Sequence, residues 1–280
     1  MREIKASDIS AAVAELCVSA NCELCDDVYQ ALKDGAAREE SPLGKDVLCQ
    51  LVENADIARS EQVPMCQDTG IAVVFAELGQ DVHITGGLLS DAINAGVAKG
   101  YSEGYLRKSV VAHPLERENT GDNTPAAIYT EVVPGDRLKI TVLPKGAGSE
   151  NMSAATMLKP SDGAEGVKKF VVEMVKAAGP NPCPPIIVGV GIGGTMDKAA
   201  ILAKKALLRR VGEHNPNPSD AELERELLRL ANSTGIGPAG LGGRITALAV
   251  NVETFPCHIA SLPVAVNIQC HAARHKEAEL

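Results

Sequence analysis

Aromatic residues are nearly absent from this chain. Its 280 residues include three Phe, four Tyr and no Trp. Any core must therefore be aliphatic, packed from Ala, Val, Ile and Leu. Proteins that hold single-stranded nucleic acid stack bases on aromatic rings, and this chain has almost none to offer. An excess of positive charge is lacking too. Against 36 Asp and Glu stand 27 Lys and Arg, giving a net charge of −9, which argues against nucleic acid as a partner. Long hydrophobic runs are missing. Stretches such as Pro184–Val190 fall far short of the roughly 20 residues that a membrane-spanning helix needs. The opening Met1-Arg-Glu-Ile-Lys leads into a mixed polar helix, not an export signal. The expectation is a cytoplasmic protein with no membrane partner. Paired C-x2-C zinc spacing is absent as well.

What is present is enough apolar residue, 45%, for a large core, and eight cysteines. In a reducing compartment these are core residues, metal ligands or nucleophiles before they are disulfides. The first part of the chain has helical periodicity: Ile9, Val13, Leu16 and Cys17 share a face, as do Val28 and Leu32. Ser41-Pro42 opens another helix with Val47, Leu48, Leu51, Val52 and Ile57. Met65–Gly70 breaks the pattern before a β-type run, Ile71–Leu78, and a helix is expected over Leu88–Lys99. Ile128–Val133 and Leu138–Leu143 flank Pro134-Gly135-Asp136 and read as a hairpin. Helices follow over Ala164–Ala178, Asp197–Arg210 and Asp220–Ala231, and strands over Ile186–Val190, Ile245–Val252 and Val264–Ile268. A short polar tail closes the chain, with His271, Arg274 and His275 read as solvated. The fold class expected is mixed α/β (α+β). A helical N-terminal region (about 1–62) precedes mixed β-sheets covered by helices (about 63–280), all within one domain spanning 1–280.

Three cysteines sit in loops at strand ends beside polar, Pro or Gly neighbours: Cys66, Cys183 and Cys270. Loops of this kind can bring distant residues to one site. A [4Fe–4S] cluster held by three thiolates keeps one iron open as a Lewis acid, although each cysteine taken alone reads as a small buried apolar residue. Cys17-x4-Cys22-x2-Cys25 matches three of four ligands in plant-type ferredoxin spacing and leaves an electron carrier as an alternative. The stretch nevertheless reads as amphipathic helix, with no Gly or Pro to form a ligand loop. Cys49 is mid-helix and read as core; Cys257, beside His258, is ambiguous.

Gly189-Val-Gly191-Ile-Gly193-Gly194 follows a strand and precedes a helix, the context of a dinucleotide fingerprint. It lies late in the chain and lacks a clean acidic residue about 20 positions on, so close backbone packing or small-anion binding is the stronger reading. Lys145–Ser149 lacks the G-K-[ST] of a P-loop, yet Gly148 could offer a backbone N–H to a carboxylate. Asp68 reads as a proton-transfer group or a turn former, Arg107 as a carboxylate clamp or a helix-end charge, and His258 as an acid-tuning group or simply exposed. Asn119–Pro125 reads as an ordered loop.

Taken together, these stretches resemble the α subunit of the iron–sulfur (class I) fumarate hydratases and the related L(+)-tartrate dehydratases. The matching residues are Val63-Pro-Met-Cys66-Gln67-Asp68-Thr-Gly70, Asn119–Pro125, Lys145-Gly-Ala-Gly148-Ser-Glu-Asn151, Pro182-Cys183-Pro-Pro185, Gly191–Thr195 and Pro256–Ser261, followed by Cys270. The resemblance implies a [4Fe–4S] cluster on Cys66, Cys183 and Cys270. It makes Asp68 the catalytic proton-handling residue, and gives Gln67, Arg107, Gly148 and His258 the substrate. Ala147 stands where relatives often have glycine. The implied reaction is reversible hydration of fumarate to L-malate, chemistry of the tricarboxylic acid cycle, with L(+)-tartrate dehydration as the alternative. Such enzymes complete their site with a second domain or a separate β subunit. A β chain is therefore expected as partner, in a dimer of αβ units, and this chain alone is expected to be inactive. A subunit that kept the fold but lost the chemistry is the remaining rival.

Overall fold

The computed structural model describes residues 2–280. In chain order its strands and α-helices begin with β1 (Arg2–Lys5), α1 (Ala6–Cys22), α2 (Asp26–Arg38), α3 (Pro42–Glu61), β2 (Ile71–Gly79), β3 (Val82–Thr85) and α4 (Leu89–Glu103). They continue with β4 (Ala127–Val133), β5 (Leu138–Lys145), α5 (Ala147–Glu150), β6 (Ala154–Leu158) and α6 (Gly163–Ala178). The last are β7 (Ile186–Gly193), α7 (Met196–Ala206), α8 (Pro218–Asn232), β8 (Ala247–Phe255), β9 (Leu262–Gln269) and β10 (Lys276–Glu279). The mixed α/β expectation holds. The chain forms two compact units, each discontinuous in sequence. One comprises Met1–Leu24, Ala55–Ala147 and Arg274–Leu280; the other comprises Cys25–Asn54 and Gly148–Ala273. No helix among the described residues is long and apolar enough to cross a membrane.

In the first unit, the face of α1 bearing Ile9, Val13, Leu16 and Cys17 packs with Ile93, Val97 and Tyr101 of α4. The sheet residues Val74, Ile140 and Val142 join the same core. The sheet order is β10-β5-β2-β4, and β1 pairs with β3 in parallel. The expected hairpin is therefore corrected: β4 and β5 are not neighbours, because β2 lies between them, parallel to β4 and antiparallel to β5. Most of β2 is buried, which suits a central strand. Two inter-strand spacings are about 9.5 Å, and the short Pro134–Arg137 link spans that distance with ease. It crosses the end of β2, where Gly79 donates its N–H to the Arg137 carbonyl at 2.8 Å. A Cβ on Gly79 would lie 2.6 Å from the Gly135 carbonyl oxygen, so this crossing requires glycine. A two-strand pattern around a Pro-Gly turn is the same whether or not a third strand intervenes.

The expected solvated tail is corrected too. Residues 276–279 form β10, antiparallel to β5, and Arg274 is 2% exposed. The alternating Lys-Glu-Ala-Glu pattern carries no apolar stripe, so the strand had no hydrophobic signal.

In the second unit, β7 is central, parallel to β8 and antiparallel to β9, with β6 outside β9. Val167, Val171 and Val175 of α6 and Leu227 and Ala231 of α8 cover one face of this sheet. Helix α7 covers the other face, with Ala199 and Ala203 against Ala265. The Gly189/Gly191 motif belongs to that contact. A Cβ on Gly189 would sit 1.9 Å from the Ala203 carbonyl oxygen, and one on Gly191 2.0 Å from that of Ala199. The glycines thus let strand and helix backbones touch, which accounts for the motif without a dinucleotide. Cys49, expected in the core, is exposed; Leu48, its neighbour on α3, takes the buried position, about 100° away around the helix.

A buried carboxylate ties the α2–α3 link to the segment before β8. Glu39 accepts hydrogen bonds from the backbone N–H groups of Glu40, Ser41, Arg244 and Ile245 at 2.9–3.0 Å. Burial alone would raise its pKa, but these donors outweigh it and hold the carboxyl below its usual value. A depressed carboxyl contributes stability above its unfolded pKa of about 4.3, and that contribution is lost as pH falls through the folded value. Glu39→Gln is expected to lower stability by about 1–3 kcal/mol at pH 7. It should also flatten the acid limb below about pH 4.5. Urea midpoints measured from pH 3 to 7 check this; parallel curves for the two proteins would refute it.

Candidate active site

The turn between α3 and β2 carries Cys66, Gln67 and Asp68. It is fixed to the first unit by main-chain and buried side-chain bonds. Met65 donates its N–H to the Asn21 carbonyl at the end of α1, at 3.0 Å. Cys66 is half-buried and its thiol donates to Gln67 Oε1 at 3.1 Å, while Gln67 itself is exposed. Asp68 uses both carboxylate oxygens: Oδ1 accepts from Gly70 N at 3.0 Å and Oδ2 from Ala147 N at 2.9 Å. It is therefore a turn former that also anchors the start of the Gly-rich segment. Arg107 is exposed, beyond the end of α4. Its carbonyl accepts from Thr69 Oγ1 at 3.1 Å, which brings the Arg107 main chain beside the Asp68 turn.

The Asn119–Pro125 run is ordered by its own polar groups, as expected. Asn123 is fully buried; its Oδ1 accepts from Ser109 N at 2.7 Å and its Nδ2 donates to the Gly70 carbonyl at 3.1 Å. The Asp122 carboxylate accepts from the Thr124 hydroxyl and N–H, and those bonds hold its pKa below the ordinary value.

The second unit holds Gly148, Cys183, His258 and Cys270. Gly148 is exposed in the short helix α5. The next residue, Ser149, is buried and donates to Gln269 Oε1 at 3.3 Å, immediately before Cys270. Cys183 is exposed and lies between Pro182 and Pro184 with φ +53°. Left-handed backbone costs a non-glycine residue roughly 1–2 kcal/mol and persists where surroundings impose it. The Cys183 carbonyl accepts from His271 N at 3.3 Å. The structure therefore brings the Cys183 turn to the residue that follows Cys270, and Cys270 is half-buried. His258 and Cys257 are exposed in the loop after β8. The Cys257 thiol donates to the Ser261 carbonyl at 3.3 Å, and His258 Nδ1 accepts from Ala260 N at 3.1 Å. Beside them lies a cleft of about 430 Å³ lined by Val167, Ile192, Leu223, Ile259 and Leu262.

Two of the three thiols in the ferredoxin-like spacing are buried, and Cys25 is half-buried. Cys17 is buried in the core of α1, and burial pushes its pKa up to about 12. Cys22, also fully buried, is raised by burial and by Glu23. Cys66, Cys183 and Cys270, by contrast, lie outside any disulfide in loops with access to solvent. No group of three or more His, Cys, Asp or Glu side chains among the described residues is disposed to hold a single metal ion. A [4Fe–4S] cluster sets a different requirement. Each thiolate binds its own iron at a separate corner, so ligands stand around the cluster and not around one point. Cys66 in the first unit and Cys183 and Cys270 in the second carry loop thiols, the donor type that such a cluster takes.

Sequence reading missed two buried cations of the first unit. Lys145, which opens the Gly-rich segment, is 1% exposed. Arg274 donates to the Asp68 carbonyl at 2.7 Å. The Lys-Gly junction was a usable signal for the first; nothing in the polar tail marked the second.

Comparison with known proteins matches the fumarate hydratase (Fumerase) family to residues 10–279. A protein of Methanocaldococcus jannaschii, provisionally named L(+)-tartrate dehydratase subunit alpha, is 49% identical over 95% of both chains. The L(+)-tartrate dehydratase subunit alpha of Escherichia coli K12 is 35% identical over 94% of this chain and 87% of its own.

Proposed function

This chain belongs to the fumarate hydratase (Fumerase) family, and from that premise we propose that it is the α subunit of an iron–sulfur hydro-lyase acting on a four-carbon dicarboxylate. The reading is reversible hydration of fumarate to L-malate. The names of its relatives favour a second reading, L(+)-tartrate dehydration. Cys66, Cys183 and Cys270 would hold a [4Fe–4S] cluster. When bound, its open iron supplies Lewis acidity toward a hydroxyl or carboxylate oxygen.

The chain's own residues do the rest. Asp68 takes the proton from C3 of malate; two backbone N–H groups fix its carboxylate in one direction. Abstraction next to a carboxylate builds negative charge, which fixed cations must stabilise. Arg107 supplies such a charge and can grip a carboxylate with two parallel hydrogen bonds. Gln67, the Gly148 N–H and His258 complete the polar contacts to substrate. A separate β subunit, in a dimer of αβ units, provides the remaining groups.

One observation carries this reading: the family match runs through all three loop thiols, two of which, Cys183 and Cys270, border one main-chain hydrogen bond. The test is anaerobic reconstitution with iron and sulfide, addition of the β chain, and steady-state assays with L-malate and both tartrate enantiomers. Malate is expected to exceed L(+)-tartrate in kcat/KM by about 100-fold, the range in which one extra hydroxyl is read by pocket contacts. The reverse order selects the tartrate reading. No turnover of any of them by cluster-loaded complex removes both.

A further inference from the structure

We propose that Arg274 is a positioning residue for the Cys66–Gly70 turn, fixing the direction in which the Asp68 carboxylate is presented. Its consequence for catalysis rests on the reading of Asp68 as the proton-handling group. Arginine is almost never fully buried unless its donors are engaged, and Arg274 is 2% exposed. Its Nε donates to Asn21 Oδ1 at 3.1 Å and its Nη2 to the Asp68 carbonyl at 2.7 Å. Asn21, itself 1% exposed, is anchored by its Nδ2 to the Cys17 carbonyl at 2.9 Å, and its own carbonyl accepts from Met65 N. The planar guanidinium thus ties the last turn of α1 to both sides of Cys66 and Gln67.

The bracket continues along the turn. The Tyr101 hydroxyl lies 2.8 Å from the Thr69 carbonyl and 3.0 Å from that of Gly70, and Asn123 Nδ2 donates to the latter. Three successive carbonyls, those of Asp68, Thr69 and Gly70, therefore meet donors on buried side chains. The Asp68 carboxylate is left to accept from Gly70 N and Ala147 N. Arg274 holds the one carbonyl that belongs to Asp68 itself. Releasing it lets the Cα of Asp68 move, and a displacement of about 1 Å in a reacting group can cost on the order of 100-fold in rate. Lysine keeps the charge but presents a point donor on a flexible stem, so it cannot reproduce the planar two-acceptor bridge.

The test uses the reconstituted αβ complex with Arg274→Lys and Arg274→Met. Steady-state kinetics are run beside hydrogen–deuterium exchange of residues 65–70. In the Met variant those amides are expected to exchange roughly 10-fold faster. There kcat should fall by about 10–100-fold, as for other supporting groups of a catalytic site, with KM within about 2-fold of the parent. The Lys variant should fall between, and it carries the test alone if the Met variant does not fold. Exchange unchanged from the parent overturns the proposal, and so does faster exchange with unaltered kcat. A parent complex without turnover on any dicarboxylate, whose turn still loosens in the variants, sinks the hydro-lyase reading while the bracket stands.

Discussion

Cys183→Ser is expected to leave the reconstituted protein with little or no bound cluster and to reduce hydration of fumarate by the αβ complex by ~100-fold or more, beyond the 10–100-fold typical of groups that only support a metal ligand. The hydroxyl of serine is a poor substitute for a soft thiolate on iron. The side chain is exposed, so the substitution removes no packing and the fold should survive. Stability should change by no more than about 0.5 kcal/mol, as for other surface substitutions. Cys22→Ser is the matched control. Cys22 is fully buried in α1, so its replacement should cost some stability but spare iron and sulfide content. Together the pair separates the hydro-lyase from an electron carrier built on Cys17, Cys22 and Cys25. Loss of the cluster in the Cys22 variant with retention in the Cys183 variant would reverse the assignment.

Glu224→Ala should be the most destabilising single change away from the site, at about 3–5 kcal/mol. Glu224 is 1% exposed in α8 and pairs with Arg209, whose side chain is 12% exposed. Its carboxylate also accepts from Val252 N at 2.8 Å and Asn215 N at 3.0 Å, with His214 Nδ1 at 3.4 Å. Removal leaves the guanidinium with Glu253, 35% exposed, as its one remaining carboxylate partner among the described residues, and orphans the buried Val252 N–H and the half-buried Asn215 N–H. Against a typical total of about 5–15 kcal/mol, that is a large fraction. Denaturant unfolding measures it. Glu224→Gln, which keeps the volume and one acceptor, should cost clearly less. A loss under ~1 kcal/mol for the alanine variant would show that the network is not a net anchor of this unit.

The helices were legible because their apolar residues recur at helical spacing. Ile9, Val13 and Cys17 of α1 are buried as that spacing requires, and α6 buries Val167, Val171 and Val175. Strands β7 and β9 were legible as short apolar runs that follow Pro signals, Pro184-Pro185 and Pro263. Strand order was not, because pairing is non-local. Nothing around Pro134-Gly135-Asp136 announces that β2, some fifty residues earlier, will lie between the two flanking strands. Cys49 was misplaced because α3 buries a narrower stripe than its apolar residues suggest; Ile57 is 44% exposed. The candidate site rests mainly on the resemblance. Cys66, Asp68 and Cys183 lie in short motifs that carry it, whereas the residues that brace those motifs come from remote sequence without a pattern. Arg274 stands in a stretch with no apolar period and becomes visible only through the Asp68 carbonyl.

The division of the first unit between both ends of the chain has a consequence for biosynthesis. Its β5 edge is translated before residues 148–273, and the β10 strand that covers it comes after them. At ~5–20 residues per second, the ribosome takes roughly 6–25 s to make the intervening segment. Throughout that interval the nascent sheet has an unpaired border, the feature through which strands from other chains add. Overproduction should therefore favour inclusion bodies, and slowed initiation or a holdase chaperone should raise the yield of folded subunit.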